Sequence, residues 1–205
     1  MRDFVLPDNN EAEFIELASK LGVKKLYFLY EFDSYIQQKT EKKLKSMEFR
    51  DIRVETCFIV SHKNINIALK HSKLLVAESS DDNRFFIEGK KIKLIYGFEE
   101  TNRKDYMHQR ASGLNHIICE LAGKNNVAIG FSYNSLFNKN AQIASSLIGR
   151  MMQNIFLCQK YKVKTSIGSF SSRPFEMRNS HDLASLFTTL GMDKKKIKES
   201  LANDL

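Results

Sequence analysis

Seven short apolar runs alternate with helix-patterned segments along this chain, and that alternation limits the fold more than any other feature. The runs lie near residues 4, 27, 57, 75, 94, 129 and 166. Lys24 to Tyr30 (KKLYFLY) typifies them, a short apolar stretch suited to a strand covered on both faces. Strict alternation of strand and helix at this pitch favours a parallel sheet. Seven or more such units in 205 residues favour an α/β irregular TIM-type barrel, a single domain over residues 1–205, above an open doubly wound sheet. The doubly wound fold would carry a glycine-rich turn after its first strand, and Leu6-Pro7-Asp8-Asn9-Asn10 contains no glycine.

The segment Gly113 to Ser132 (GLNHIICELAGKNNVAIGFS) shows one αβ unit in full. Leu114, Ile117, Ile118, Leu121 and Ala122 recur at helical spacing, Gly123 to Asn126 makes a polar break, and Val127 to Phe131 forms the strand. Elsewhere helices are expected at 10–21 with Gly22 as the stop, and at 33–48, 65–70, 81–88, 143–161, 182–190 and 194–201. The polar segment 97–112 lacks periodicity, and it falls where a barrel carries a long functional loop. Arg103, Lys104 and Arg110 lie in it, so it reads either as a solvated loop or as a phosphate clamp.

A formal net charge of +8 suggests a polyanionic partner, since lysines and arginines that neutralise phosphates release counterions. The lysines also hold a pattern of position. Lys24, Lys25, Lys73, Lys90, Lys91, Lys124, Lys160, Lys162 and Lys164 each stand just before or at the start of an expected strand. A parallel barrel would gather them at its N-terminal end, where they suit the backbone of structured RNA. The competing reason is that a cation near a helix C-terminus complements the helix dipole. Cys57, Cys119 and Cys158 are odd in number, far apart and set in apolar segments, as buried free thiols are. No apolar run reaches the length of a membrane span and no signal-like segment opens the chain, so a cytoplasmic location is expected.

Catalytic parts are few. His62, His71, His108, His116 and His181 show no metal-ligand spacing, and neither GxSxG nor a phosphate-binding loop occurs. His116 is expected to be packed or hydrogen-bonded on its helix. Ser132 and Asn134 follow a strand at the end where barrel enzymes place chemistry, or else merely cap the next segment. Phe131, Tyr133 and Phe137 could stack bases or fill the core.

From Asn102-Arg103-Lys104-Asp105 through the Gly113 unit, then MMQNIFLCQKYKVK (151–164) and MRNSHDLASLFTTLGM (177–192), the chain resembles the archaeal ribonuclease P protein component 3 family. Arg178, Asp182, Leu183, Gly191 and Met192 match the family's closing pattern, whereas its proline is replaced within Arg178-Asn179-Ser180-His181. The resemblance implies a TIM-barrel-like protein subunit of ribonuclease P, the ribonucleoprotein endonuclease that removes 5′ leaders from precursor tRNA. It implies cleavage by an RNA subunit using magnesium, no cofactor on this chain, and a second, smaller protein subunit in a heterotetramer. The family is related in fold to metal-dependent phosphoesterases that open with an HxH pair, and Val5-Leu6-Pro7-Asp8 lacks it. A noncatalytic subunit is therefore expected, its RNA contacts including Arg103, Lys104, Lys124, Lys160, Lys162, Arg173 and Arg178. The alternatives are a phosphoesterase-like barrel enzyme, with a site around Ser132, Asn134, Ser169 and Arg178, and a protein interaction scaffold.

Overall fold

The structure, a computed structural model, describes residues 1–32, 52–106, 110–137 and 139–202. The expected helix at 33–48 and His108 lie outside the described residues. Seven strands form one sheet in chain order: β1 (Arg2–Val5), β2 (Lys25–Glu31), β3 (Arg53–Ile59), β4 (Leu75–Glu78), β5 (Leu94–Tyr96), β6 (Ala128–Ser132) and β7 (Thr165–Gly168). Every neighbouring pair is parallel. The described helices are α1 (Glu11–Lys20), α2 (Ile65–Ala68), α3 (Asn83–Glu88), α4 (His116–Asn125), α5 (Ala141–Lys160), α6 (Ser180–Thr189) and α7 (Lys194–Ala202). This is the expected irregular TIM-type barrel.

The ring is drawn together between β1 and the chain just past β7. Phe170 N–H donates to the Phe4 carbonyl and Leu6 N–H to the Ser171 carbonyl, both at 2.8 Å. Beside them, the buried Asp3 carboxylate accepts the Ser169 N–H at 2.6 Å and its hydroxyl at 2.7 Å. Burial pushes the Asp3 carboxyl up to about 6 even though Ser169 and the Phe4 N–H stabilise its charge.

Strand side chains alternate between two apolar layers. Phe4, Tyr27, Leu29, Cys57, Ile59, Val76, Leu94, Tyr96, Ala128 and Phe170 fill the barrel. Tyr27, Phe4, Phe170 and Tyr96 stack in succession with ring centroids 5.0, 5.0 and 4.9 Å apart. Gly130 and Gly168 make room for that stack, since a Cβ on either would meet Tyr96 or Phe4 at 2.8 Å. The other strand face, with Phe28, Phe58, Ile95, Ile129 and Ile167, packs on helix residues such as Phe14, Ile87, Met151, Ile155 and Phe187. Each fully buried side chain of this size contributes about 1.5–3 kcal/mol. Cys57, Cys119 and Cys158 are buried and unpaired, as expected.

Four helices end in the same way. Val23, Val127, Val163 and Met192 each donate a backbone N–H to the carbonyl five residues earlier, at 2.9–3.0 Å. The residues just before them, Gly22, Asn126, Lys162 and Gly191, have positive φ, which is the Schellman arrangement. An apolar residue is thereby swung back into the core after each helix.

The Gly113 unit departs from expectation at its start. Helix α4 begins at His116, because the Asn115 side chain accepts the Ile118 N–H and caps it there. Its buried face is therefore Cys119 and Ala122, while Ile117 is 47% exposed. Gly113 precedes the helix at φ +81° against the Phe98 carbonyl. No described helix is long and apolar enough to cross a membrane.

Candidate nucleic-acid interface

Parallel strands put every strand entrance at one end of the barrel, and the lysines collect there. Lys24, Lys73, Lys90, Lys124, Lys160, Lys162 and Lys164 are exposed at the starts of β2, β4, β5, β6 and β7. Two of the expected set behave differently. Lys25 turns into the barrel, 3.1 Å from the Glu55 carboxylate and over the Tyr27 ring, and Lys91 donates to Asn66 Oδ1 at 2.7 Å.

Helix α7 adds to this end. The Arg2 guanidinium, from the first residue of β1, donates to the Ser200 carbonyl at 3.0 Å, and the Thr165 and Ser200 hydroxyls meet at 2.5 Å. The helix thus lies against the entrances of β1 and β7 and carries exposed Lys194, Lys195 and Lys198. Sequence reasoning missed these three. Their signal was the lysine-rich stretch Lys194-Lys195-Lys196-Ile197-Lys198, which reads as a solvated helix face until its neighbours are known.

The seven residues expected to contact RNA do not form one cluster. Lys124, Lys160 and Lys162 belong to the basic end, whereas Arg103, Lys104, Arg173 and Arg178 follow β5 and β7 at the opposite mouth. Arg103 is already paired with Asp81 at 3.0 Å. The mouth itself is acidic. Burial, then Glu78, raises the Glu31 carboxyl, and burial also raises Glu100, which Lys139 partly offsets and Glu78 reinforces. Glu78, Asp81, Asn83, Glu100 and Arg103 line a cleft of ≈ 500 Å³ there. Such a lining repels phosphate from the centre of the mouth.

The described part of the 97–112 connection is tied down. Arg150, buried on α5, donates to Asp105 Oδ1 at 2.9 Å and to the Glu99, Thr101 and Arg103 carbonyls at 3.2, 2.7 and 2.6 Å. Asn154 and Gln153 hold Ser112 from the same helix. Two of the three cations expected to form a clamp have acidic neighbours already, Arg110 standing 3.8 Å from Asp105.

Enzyme-like groupings dissolve on inspection. Ser132 is buried, its hydroxyl accepting the Ser135 N–H at 3.1 Å, so it shapes the turn Asn134–Leu136. The Ser169 hydroxyl is committed to Asp3, and no histidine contacts either serine among the described residues. His116 is not packed but exposed in the first turn of α4, since the Asn115 cap turns it to solvent. Phe131 is fully buried against Phe187 and offers no base platform. Phe137 is exposed and Tyr133 half-buried against the core, their ring centres 4.8 Å apart. Among the described residues no three His, Cys, Asp or Glu side chains come together to hold a metal ion.

Comparison with known proteins brings in the family. The family model for the RNase P subunit p30 matches residues 104–204. Ribonuclease P protein component 3 of Thermococcus gammatolerans is 35% identical over 120 residues, which cover 58% of this chain and 52% of that protein. The chain spans about half the length of the curated relatives it matches. In structure, a chain of archaeal ribonuclease P with mature tRNA superposes with a TM-score of 0.74 at 19% identity, covering 98% of this chain and 87% of that one. An amidohydrolase gives a TM-score of 0.57 at 7% identity, covering 98% and 71%. These two likenesses show the barrel fold.

Proposed function

We propose that this protein, whose residues 104–204 match the family model for the RNase P subunit p30, is an RNA-binding subunit of ribonuclease P. It takes part in removing 5′ leaders from precursor tRNA, and it acts by holding the catalytic RNA rather than by breaking the phosphodiester. Cleavage falls to the RNA subunit and its magnesium. A smaller protein subunit joins it in a heterotetramer.

The observation that carries this reading is the basic end of the barrel. Lys24, Lys73, Lys90, Lys124, Lys160, Lys162 and Lys164 stand on a rigid ring of strand entrances, with Lys194, Lys195 and Lys198 of α7 beside them. Fixed cations on a rigid frame suit the regularly spaced phosphates of folded RNA, which is recognised by shape. Chemistry would need an accessible nucleophile with a base in reach or a metal-ligand set; the Ser169 hydroxyl and Asp3 carboxylate that meet at 2.7 Å are both fully buried, and no three metal-ligating side chains group among the described residues. Arg103, Lys104 and Arg173 serve as a second set of contacts around the rim of the mouth, and Arg178 holds the turn that follows Arg173.

Reconstitution of precursor-tRNA cleavage from the RNA subunit and its proteins, with and without this chain, tests the proposal. Leader removal should rise when the chain is added and should fall again when Lys124, Lys160 and Lys162 are all replaced by alanine. Cleavage indifferent to the chain, or turnover of the substrate by the chain with no RNA subunit present, would overturn it.

A further inference from the structure

The short turn after β7 displays an exposed aromatic ring, Phe175, with Arg173 and Arg178 close to it in the chain. Phe175 is 68% exposed on the turn Pro174–Glu176, whose ends are held by Glu176 N–H to the Arg173 carbonyl at 3.1 Å and Met177 N–H to the Pro174 carbonyl at 2.9 Å. Glu176 and Met177 are buried. The inward pair fixes the turn, so Phe175 is presented on a rigid support.

Arg178 completes the group. Its Nη1 donates to the Phe175 and Met177 carbonyls at 3.0 and 2.8 Å, and its guanidinium carbon lies 5.4 Å from the Tyr133 ring centre and 5.5 Å from that of Phe137. Phe137 is itself 37% exposed. Arg173, exposed, precedes the turn. The turn's one carboxylate, Glu176, faces inward, so the outer face of the group combines flat apolar surface with positive charge.

We propose that this group binds an unpaired nucleobase of structured RNA, stacked on Phe175, with a flanking phosphate on Arg173. Arg178 is a positioning residue that locks the turn to Tyr133 and Phe137. The proposal rests on the RNA-binding role and goes beyond it. Lysines at the far end read only phosphates, whereas a ring at the rim selects RNA with a base out of its helix. The charge balance favours this occupant over an apolar protein surface, because exposed Arg173 adjoins the turn in the chain while the turn's one carboxylate is buried, which suits phosphate.

A short RNA hairpin with one bulged 2-aminopurine, and the same hairpin fully paired, are titrated against the full chain at one salt concentration. The bulged RNA is expected to bind more tightly, with its fluorescence quenched. Phe175→Ala should lower affinity for the bulged RNA by roughly 5- to 150-fold, the scale of one base–aromatic stack, and leave the paired RNA unchanged. Phe175→Trp should keep the preference. Equal affinity for the two hairpins, or a preference that survives Phe175→Ala, overturns the stacking site alone. If neither hairpin binds, the RNA-binding role falls and the inference falls with it.

Discussion

Arg150 and Asp105, 45 residues apart in the chain, meet at 2.9 Å between Nε and Oδ1. Through that one guanidinium, helix α5 holds the backbone of the connection after β5. Burial opposes charge on Asp105, but the Arg150 hydrogen bond, the Ala111 N–H and Arg110 outweigh it and hold the carboxyl below its ordinary 3.8. The pair therefore stabilises the fold at neutral pH, and its contribution is lost as pH falls below 3.8 through the lowered folded value.

Replacing Arg150 by alanine should cost about 3 kcal/mol or more, because three carbonyls and one carboxylate lose their donor together. Urea unfolding at pH 7 measures it. Arg150→Lys should recover only part, since an ammonium cannot span four acceptors in a plane. A loss below about 1 kcal/mol for the alanine variant would mean that solvent replaces the guanidinium freely.

Gly113→Ala should destabilise by at least about 2 kcal/mol. The residue has φ +81° and its added Cβ would collide with the Phe98 carbonyl oxygen, a backbone atom that cannot swing aside. Gly22→Ala supplies the contrast. Gly22 shares the positive φ but has nothing within 4 Å, so its loss should be smaller in the same thermal unfolding experiment.

Stability should fall as pH rises from about 4 to 7. Burial pushes the Glu99 carboxyl up to about 7 and the Asp3 carboxyl up to about 6. Between its ordinary and raised values each group holds more protons folded than unfolded, so raising the pH favours the unfolded chain until the raised value is passed. The Asn154 side chain stabilises the Glu99 charge and offsets only part of the effect of burial. Glu99→Gln keeps a donor without the charge and should gain roughly 3 kcal/mol at pH 8, with the remaining slope ending near pH 6. Denaturant titrations across pH 4 to 8 check both; a Glu99→Gln variant with the parental pH profile would contradict the assignment.

The proposed RNA-binding role predicts two opposite effects of one change at Lys162. At φ +55° it occupies a position that glycine prefers, so Lys162→Gly should raise stability by about 1 kcal/mol. The same change should weaken binding to ribonuclease P RNA and reduce the salt slope of that binding by roughly 0.7 to 0.9, as should Lys124→Ala. Titrations at several salt concentrations read the slope. An unchanged slope in both variants would remove these lysines from the interface.

Much of the fold was legible because its signals are local. The seven apolar runs all became strands in the order expected, and Gly22 marked the end of its helix. Helix α4 starts two residues after Leu114, where the apolar spacing begins, for an equally local reason: the Asn115 side chain caps it at His116. The site was read less well. Lys25 looked like its neighbour Lys24, yet strand alternation sends one into the barrel and the other to solvent.

Periodicity, turn residues and charge placement act over one turn of helix or one pleat, so the chain alone could specify parallel strands, their order and lysines at their entrances. Contacts between distant segments obey no such spacing. Asp3 meeting Ser169, Arg150 gathering the carbonyls of residues 99 to 103, α7 bringing its lysines beside β1, and Arg178 lying over Tyr133 and Phe137 all arise when the ring is drawn together. They depend on which surfaces the packed layers leave facing each other, and that is a property of the closed barrel and not of any stretch of its chain.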